Sequence, residues 1–237
     1  MVAPQELFPP ARNKLLAAMP RREYERLLPD LKPVTLTFEQ ILYEADGPMR
    51  HVYFPTSGMI SLVFVLHDGS EAEVGRVGNE GMVGLPVFLG VRTSHTRALV
   101  QIPGEALRMK AAIFQQEARP GGPLTGLLLR YTQSLLRHVS QLTACNSWHS
   151  IEQRLCRWLL ITHDRVQADQ IEITQGFLAR MLGVHRQSVT LAASRLQRAG
   201  LIRYRRGKLE IVDRKGLEAA CCECYRAVKR EFESLFV

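Results

Sequence analysis

No apolar run in this 237-residue chain approaches the roughly 20 residues that a membrane-spanning helix needs. The N-terminus also lacks the short apolar core of a secretion signal, so the expectation is a cytoplasmic protein without a membrane partner. Cysteine is scarce: there are five, an odd number, and none stands before Cys145. That excludes the disulfide framework of a small secreted domain. Three of them crowd together at Cys221, Cys222 and Cys224, in a tail read as one helix from Leu217 to about Phe236. Lacking a matching ligand cluster, they are read as small packing residues, and no metal site is assigned. Tyr225, Val228, Phe232 and Leu235 give the same tail a buried face. No paired carboxylates, Ser/His/Asp set or Gly-rich phosphate loop stands out. His149 is isolated and His67-Asp68 belongs to a turn, so an enzyme is not expected. Acidic residues are missing from 180–208, where eight basic ones lie.

What is present starts from that charge. Residues 151–237 hold 16 Lys/Arg against 10 Asp/Glu, whereas residues 1–150 hold 15 against 13. A one-signed stripe attracts polyanions and speeds their association. An apolar content of 46% is ample for packed cores and excludes global disorder. The first 30 residues look helical, with Leu15, Leu16, Tyr24, Leu27 and Leu28 on buried faces. From Pro33 to Lys110 short β-like runs alternate with turn signals. The runs are Thr35–Phe38, His51–Phe54, Met59–Leu66, Glu71–Val77, Arg97–Ile102 and Ala106–Met109. The turns are Asp46-Gly47, Ser57-Gly58, Asp68-Gly69 and Pro103-Gly104. Such spacing suggests an antiparallel barrel or jelly roll.

The period changes near residue 122. Leu124, Leu128, Tyr131, Leu135, His138, Leu142 and Cys145 alternate steps of four and three, a heptad seam read as a dimer helix. The same helix carries a second apolar face at Leu127, Leu129 and Leu136, so one stripe could pack on its own barrel while another pairs. Ser150 opens a further helix from Ile151, with Glu152 in its first turn. The expected division is therefore a β-domain with N-terminal helices (1–121), a dimerisation helix (122–149) and a C-terminal domain (150–237), in an α+β fold.

The C-terminal third carries the function. Thr174 is a good helix cap, and Phe177, Leu178, Met181 and Leu182 form one apolar face. Gly183 breaks that helix. A second one follows from His185 or Arg186, with Val189, Ala192, Ala193 and Leu196 at helical spacing, and Gly200 ends it. This is a helix-turn-helix. Groove reading asks for hydrogen-bonding side chains on the first exposed turns of the second helix, and His185, Arg186, Gln187, Ser188 and Thr190 supply them. Leu201–Tyr204 and Leu209–Val212 flank Arg205-Arg206-Gly207-Lys208 as a wing with a cationic tip. Thr174, Arg180, Arg195, Arg198, Arg205, Arg206 and Lys208 are the candidate phosphate contacts. The partner these residues imply is double-stranded DNA. An alternative reading is a small-ligand-binding adaptor that acts through protein contacts.

Thr174 to Ile202 resembles the DNA-binding domain of the Crp/Fnr superfamily. Its pattern I-T…G…R-x-[ST]-V…L…L-I is matched by Ile173, Thr174, Gly183, Arg186, Ser188, Val189, Leu196, Leu201 and Ile202. The preceding barrel and long helix fall in that family's order, so the resemblance covers about residues 30–215. It implies a homodimeric transcription regulator on half-sites one helical turn apart, with RNA polymerase as a further candidate partner. Family activators usually place Arg-Glu where this chain has Arg186-Gln187, and an arginine where it has Leu191. The operator should differ from theirs, with adenine a candidate for Gln187.

In the β-domain, Gly81-Met82-Val83-Gly84-Leu85 resembles the family's phosphate loop. Thr96-Arg97 falls where cyclic-nucleotide binders have Arg-Ser, and Ser140 completes the candidate effector pocket. Leu85 replaces the ribose-binding glutamate and Arg97 is one position late, which in a strand points it to the other face. Cyclic AMP is thus disfavoured. No iron–sulfur cluster is expected without N-terminal cysteines, and the effector stays unknown.

Overall fold

In a computed structural model, residues 12–118, 121–166 and 169–236 are described. The chain divides into two compact units. One is built chiefly from residues up to Leu62 with Arg76–Leu136, the other from Val63–Gly75 and Arg137–Glu231.

The first unit opens with helices α1 (Lys14–Ala17) and α2 (Arg21–Leu27). Asn13 caps α1, its side chain accepting from Leu16 N and donating to the Pro55 and Gly81 carbonyls, so a buried amide is fully used. The strands are β1 (Lys32–Leu36), β2 (Ile41–Tyr43), β3 (His51–Pro55), β4 (Met59–Val65), β5 (Glu71–Val77), β6 (Thr96–Ile102) and β7 (Gly104–Lys110). Helix α3 (Leu85–Phe88) lies between β5 and β6, and α4 (Ala111–Glu117) follows β7. They form two open sheets, β1-β7-β3 and β2-β6-β4-β5, a jelly-roll arrangement rather than a closed barrel. Val52, Phe54, Ile60, Val63, Val100, Leu107 and Met109 are buried, and Phe54 meets Phe114 of α4 edge-on. Asp46-Gly47, Ser57-Gly58 and Asp68-Gly69 fall between strands as expected, Gly104 of the fourth turn dipeptide opens β7, and β2 is an addition that its three residues did not announce.

Helix α5 (Pro123–Trp148) contributes to both units. The face expected to be the dimer seam is spent within the chain. Leu124, Leu128, Tyr131, His138, Leu142 and Cys145 are buried and Leu135 is half-buried. Tyr131 donates its hydroxyl to Met82 O, 3.1 Å away. Large apolar side chains left outside on α5 are Leu129 and Leu136, at 56% and 58% exposure, and Trp148 at its end, at 86%; half-buried Val139 lies one turn on from Leu136. Two apolar stripes run along α5, and burial within the chain takes up most of the one expected to pair.

The second unit adds α6 (Ile151–Val166), β8 (Gln170–Glu172), α7 (Gln175–Leu182), α8 (Arg186–Arg198), β9 (Ile202–Arg205), β10 (Lys208–Ile211), α9 (Arg214–Ala220) and α10 (Cys224–Ser234). Ser150 and Gln153 form a reciprocal capping box, Gln153 N donating to Ser150 Oγ and Ser150 N to Gln153 Oε1. The order β8-β10-β9 makes the wing three-stranded. The tail is not one helix: it breaks at 221–223 between α9 and α10, which leaves Cys222 in non-helical backbone. Tyr225, Val228 and Leu235 are buried as expected, while the Phe232 side chain lies outside the described residues.

Candidate nucleic-acid interface

Two short helices and a turn place the reading face. Thr174 Oγ1 accepts from Phe177 N at 3.1 Å, fixing the start of α7. Gly183 adopts φ 60 and ψ 46, left-handed backbone that a side chain resists, and so turns the chain sharply into α8. Phe177, Leu178, Met181 and Leu182 of α7 pack with Val189, Ala192, Ala193 and Leu196 of α8, all buried. Arg154 of α6 donates to the Leu182 carbonyl at the end of α7. What α8 leaves outside in its first turns is His185, Arg186, Gln187 and Thr190, exposed, and Ser188, partly exposed. His185 and Ser188 also line a cleft with Leu66, Ala72 and Ile151, whereas Arg186, Gln187 and Thr190 do not.

The eight cations of 180–208 fall into two sets. Arg180 lies 3.5 Å from Glu71 and stacks over the Phe177 ring. Arg195 is paired with Glu152, Arg203 with Glu210 at 2.7 Å, and Lys208 with Glu172 at 3.5 Å. Arg186, Arg198, Arg205 and Arg206 are exposed and form no ion pair among the described residues. Arg180, Arg195 and Lys208, expected as phosphate contacts, thus already hold carboxylates. Thr190 is also engaged, its hydroxyl within reach of Gln175 Oε1 at 2.7 Å and of the Arg186 carbonyl at 3.0 Å.

Two residues that sequence reasoning missed hold the wing in place. Tyr204 donates its hydroxyl to Ile173 O at 2.7 Å, and its backbone N–H donates to Gln197 Oε1 at 2.6 Å. Burial pushes the Tyr204 phenol up to about 12, so it stays a donor. The tip carries Arg206 at φ 50 and Gly207 at φ 79, a tight turn that projects its basic side chains.

The candidate effector loop, residues 81–85, is buried. Met82, Val83 and Leu85 are buried, and Val83 exchanges backbone hydrogen bonds with Tyr53. Arg97, read from the sequence as one position out of register for a phosphate, pairs with Glu44 at 2.7 Å. Ser94 and Thr96 hydrogen-bond each other. Ser140 belongs to the second unit, in a cavity of about 320 Å³ between α5 and α10. The polar side chains that the β-domain does bury are others, notably Ser61, Arg76, Glu80 and Gln101, with Ser61 donating to Gln101 Oε1 at 2.6 Å. Nor is His149 isolated: the break in the tail brings Cys222 and Cys224 up to Cys145 and His149.

Residues 153–220 match the family model of the Crp-like helix-turn-helix domain, and residues 33–119 that of the cyclic nucleotide-binding domain. The chain belongs to the Crp/Fnr family. No curated protein matches it in sequence. Solved structures share its fold. A crp/fnr-family transcriptional regulator from Eubacterium rectale has a TM-score of 0.72 at 19% identity, over 89% of this chain and 98% of that one. FixK2 from Bradyrhizobium japonicum has a TM-score of 0.68 at 17% identity, over 81% and 98%. The c-di-GMP responsive global regulator CLP of Xanthomonas campestris has a TM-score of 0.66 at 19% identity, over 81% and 99%. This Crp/Fnr protein is a DNA-binding transcription regulator with a cyclic-nucleotide-binding-like sensory domain. Among its described residues no helix is long and apolar enough to cross a membrane.

Proposed function

We propose that this Crp/Fnr regulator binds a palindromic operator in the cytoplasm as a homodimer and performs no catalysis. The observation that carries the reading is the first two turns of α8. There Arg186 and Gln187 stand exposed and uncommitted, flanked by the unpaired Arg198, Arg205 and Arg206. Arg186 is suited to fork onto guanine O6/N7 and Gln187 onto adenine N6/N7, while the flanking cations grip phosphates on either side. His185, Ser188 and Thr190 complete the base-facing surface, and Thr174 offers its α7 N-terminus to a phosphate. Pairing of two subunits through Leu129, Leu136 and Val139 of α5 would present two such surfaces, about one helical turn of DNA apart.

The signal enters through residues 1–121, passes along 122–149 and is read out by 150–237. A small change in the angle of the paired α5 helices would misplace one recognition helix and release the operator. Cyclic AMP is a poor candidate effector, since Leu85 offers no acceptor to a ribose and Arg97 is held by Glu44. Contact with RNA polymerase would then make the bound dimer an activator or a repressor according to operator position.

Selection of binding sites from a random duplex library tests the reading, with the purified protein and its Arg186→Ala variant side by side. The expected result is a palindrome with half-sites about 10 base pairs apart, degraded by the substitution. An enriched site that is indifferent to Arg186→Ala would remove α8 as the reader.

A further inference from the structure

We propose that Cys145, His149, Cys222 and Cys224 form a tetrahedral Cys3His site for a thiophilic divalent cation, with zinc as the ion that fits. Cys145 and His149 stand four residues apart, which places both on one face at the end of α5. The helical turn continues past α5, His149 N donating to Cys145 O at 3.1 Å. Cys222 lies in the break between α9 and α10, and Cys224 opens α10. The four candidate ligand atoms all lie within 4.8 Å of one another. Cys145 Sγ is 3.6 Å from Cys222 Sγ, and Cys224 Sγ is 3.6 Å from His149 Nδ1. A tetrahedron with metal–sulfur bonds of about 2.3 Å and metal–nitrogen bonds of about 2.0 Å has sulfur–sulfur and sulfur–nitrogen edges of roughly 3.8 and 3.5 Å. Both measured edges already match it.

The surroundings fit a metal as well as the ligands do. Glu223, between the two tail cysteines, faces His149 Nε2 at 3.3 Å. A proton held there leaves the Nδ1 lone pair aimed at the thiols, the carboxylate–histidine arrangement common behind metal-bound imidazoles. Gln141 Nε2 donates to Cys224 Sγ at 3.0 Å. Charge supplies an independent observation. Arg157 is 2% exposed, and its Nε and Nη1 have no hydrogen-bond partner. A buried guanidinium without a counter-ion is expensive. Three thiolates around a dication leave one net negative charge beside it. Selectivity among the cysteines is also explained: Cys221 turns its sulfur to the Gln153 carbonyl at 3.9 Å, and Cys156 stays buried in α6, outside the group. Four protein ligands leave no open position, so the site is a clamp that fastens 222–224 to the end of α5 and performs no chemistry. It is independent of the DNA-binding reading.

The test uses the full chain purified anaerobically with reductant, analysed for bound zinc and titrated with Co²⁺ in place of zinc. One equivalent per chain is expected. The cobalt form should show the intense visible bands of a tetrahedral ion and a near-ultraviolet thiolate charge-transfer band, both lost when zinc is added. Cys222→Ser and Cys224→Ser should weaken the charge-transfer band and lower affinity at least about tenfold, and Glu223→Gln should lower it roughly tenfold. Cys221→Ser should bind as wild type. His149→Cys should keep the metal and strengthen the charge-transfer band, which guards against variants that simply fail to fold. Any of three results would overturn the site: no cobalt uptake by the reduced protein, the weak spectrum of an octahedral ion, or full affinity in a Cys145→Ser/Cys222→Ser variant. A Cys145–Cys222 disulfide that persists under reductant would overturn it too.

Discussion

Arg186, Arg198, Arg205 and Arg206 keep their charge for a partner, whereas Arg180, Arg195, Arg203 and Lys208 share theirs with glutamates. That difference separates the expected effects of single substitutions. Arg186→Ala should remove one forked base contact, at about 1–3 kcal/mol, and so reduce the preference for the selected operator over unrelated duplex by roughly 5- to 150-fold. Arg206→Ala should weaken every sequence alike and lower the salt slope by about one. Fluorescence-anisotropy titrations on operator and scrambled duplexes, at several salt concentrations, distinguish the two. Equal loss on both duplexes for Arg186→Ala would mean that it meets a phosphate. The residue types at 185–190 were legible because the helix-turn-helix is a local pattern. The pairing of Arg195 was not, because its partner Glu152 lies 43 positions away and only packing of α6 on α8 brings them together.

Apolar spacing located the elements where one period dominated and left two candidate faces where two competed. The strands of the β-domain and α7 with α8 lie close to where their apolar spacing put them. In α5 both stripes have heptad spacing, and only the Tyr131 anchor on Met82 shows which one the chain keeps for itself. That anchor yields a second prediction. A Cβ on Gly81 would sit 2.6 Å from the Tyr131 ring carbons, so Gly81→Ala should destabilise the protein by about 1–3 kcal/mol. A double-mutant cycle with Tyr131→Leu should recover part of the loss, read as denaturant midpoints. Simple additivity of the two substitutions would show that the contact does not govern the loop. The tail posed a different problem. Residues 217–236 have helical composition, and nothing local announces the break at 221–223. The juxtaposition of Cys222 and Cys224 with Cys145 and His149 is a tertiary fact, which is why the sequence showed only a cysteine-rich helix.

Taken whole, the molecule should work only as a pair. Leu129 and Leu136 are more than half exposed on one face of α5, so Leu129→Asp with Leu136→Asp should cost the folded subunit little while placing two like charges in the pairing surface of each partner. Sedimentation should then show a monomer with unchanged circular dichroism; Leu128→Asp, at a fully buried position, should instead unfold the chain. Linking two binding modules raises avidity by about 10²- to 10⁴-fold over one, so the monomer should lose that factor on the palindrome. It should keep the same base preference on an isolated half-site. Salt dependence gives an independent check. If Arg198, Arg205 and Arg206 each meet one phosphate, the logarithmic salt slope should be about −2.7 for the monomer and about −5.4 for the dimer. A monomer that retained both the palindrome affinity and the steeper slope would place the two DNA-contacting surfaces on a single subunit, and the homodimer would cease to be the binding species.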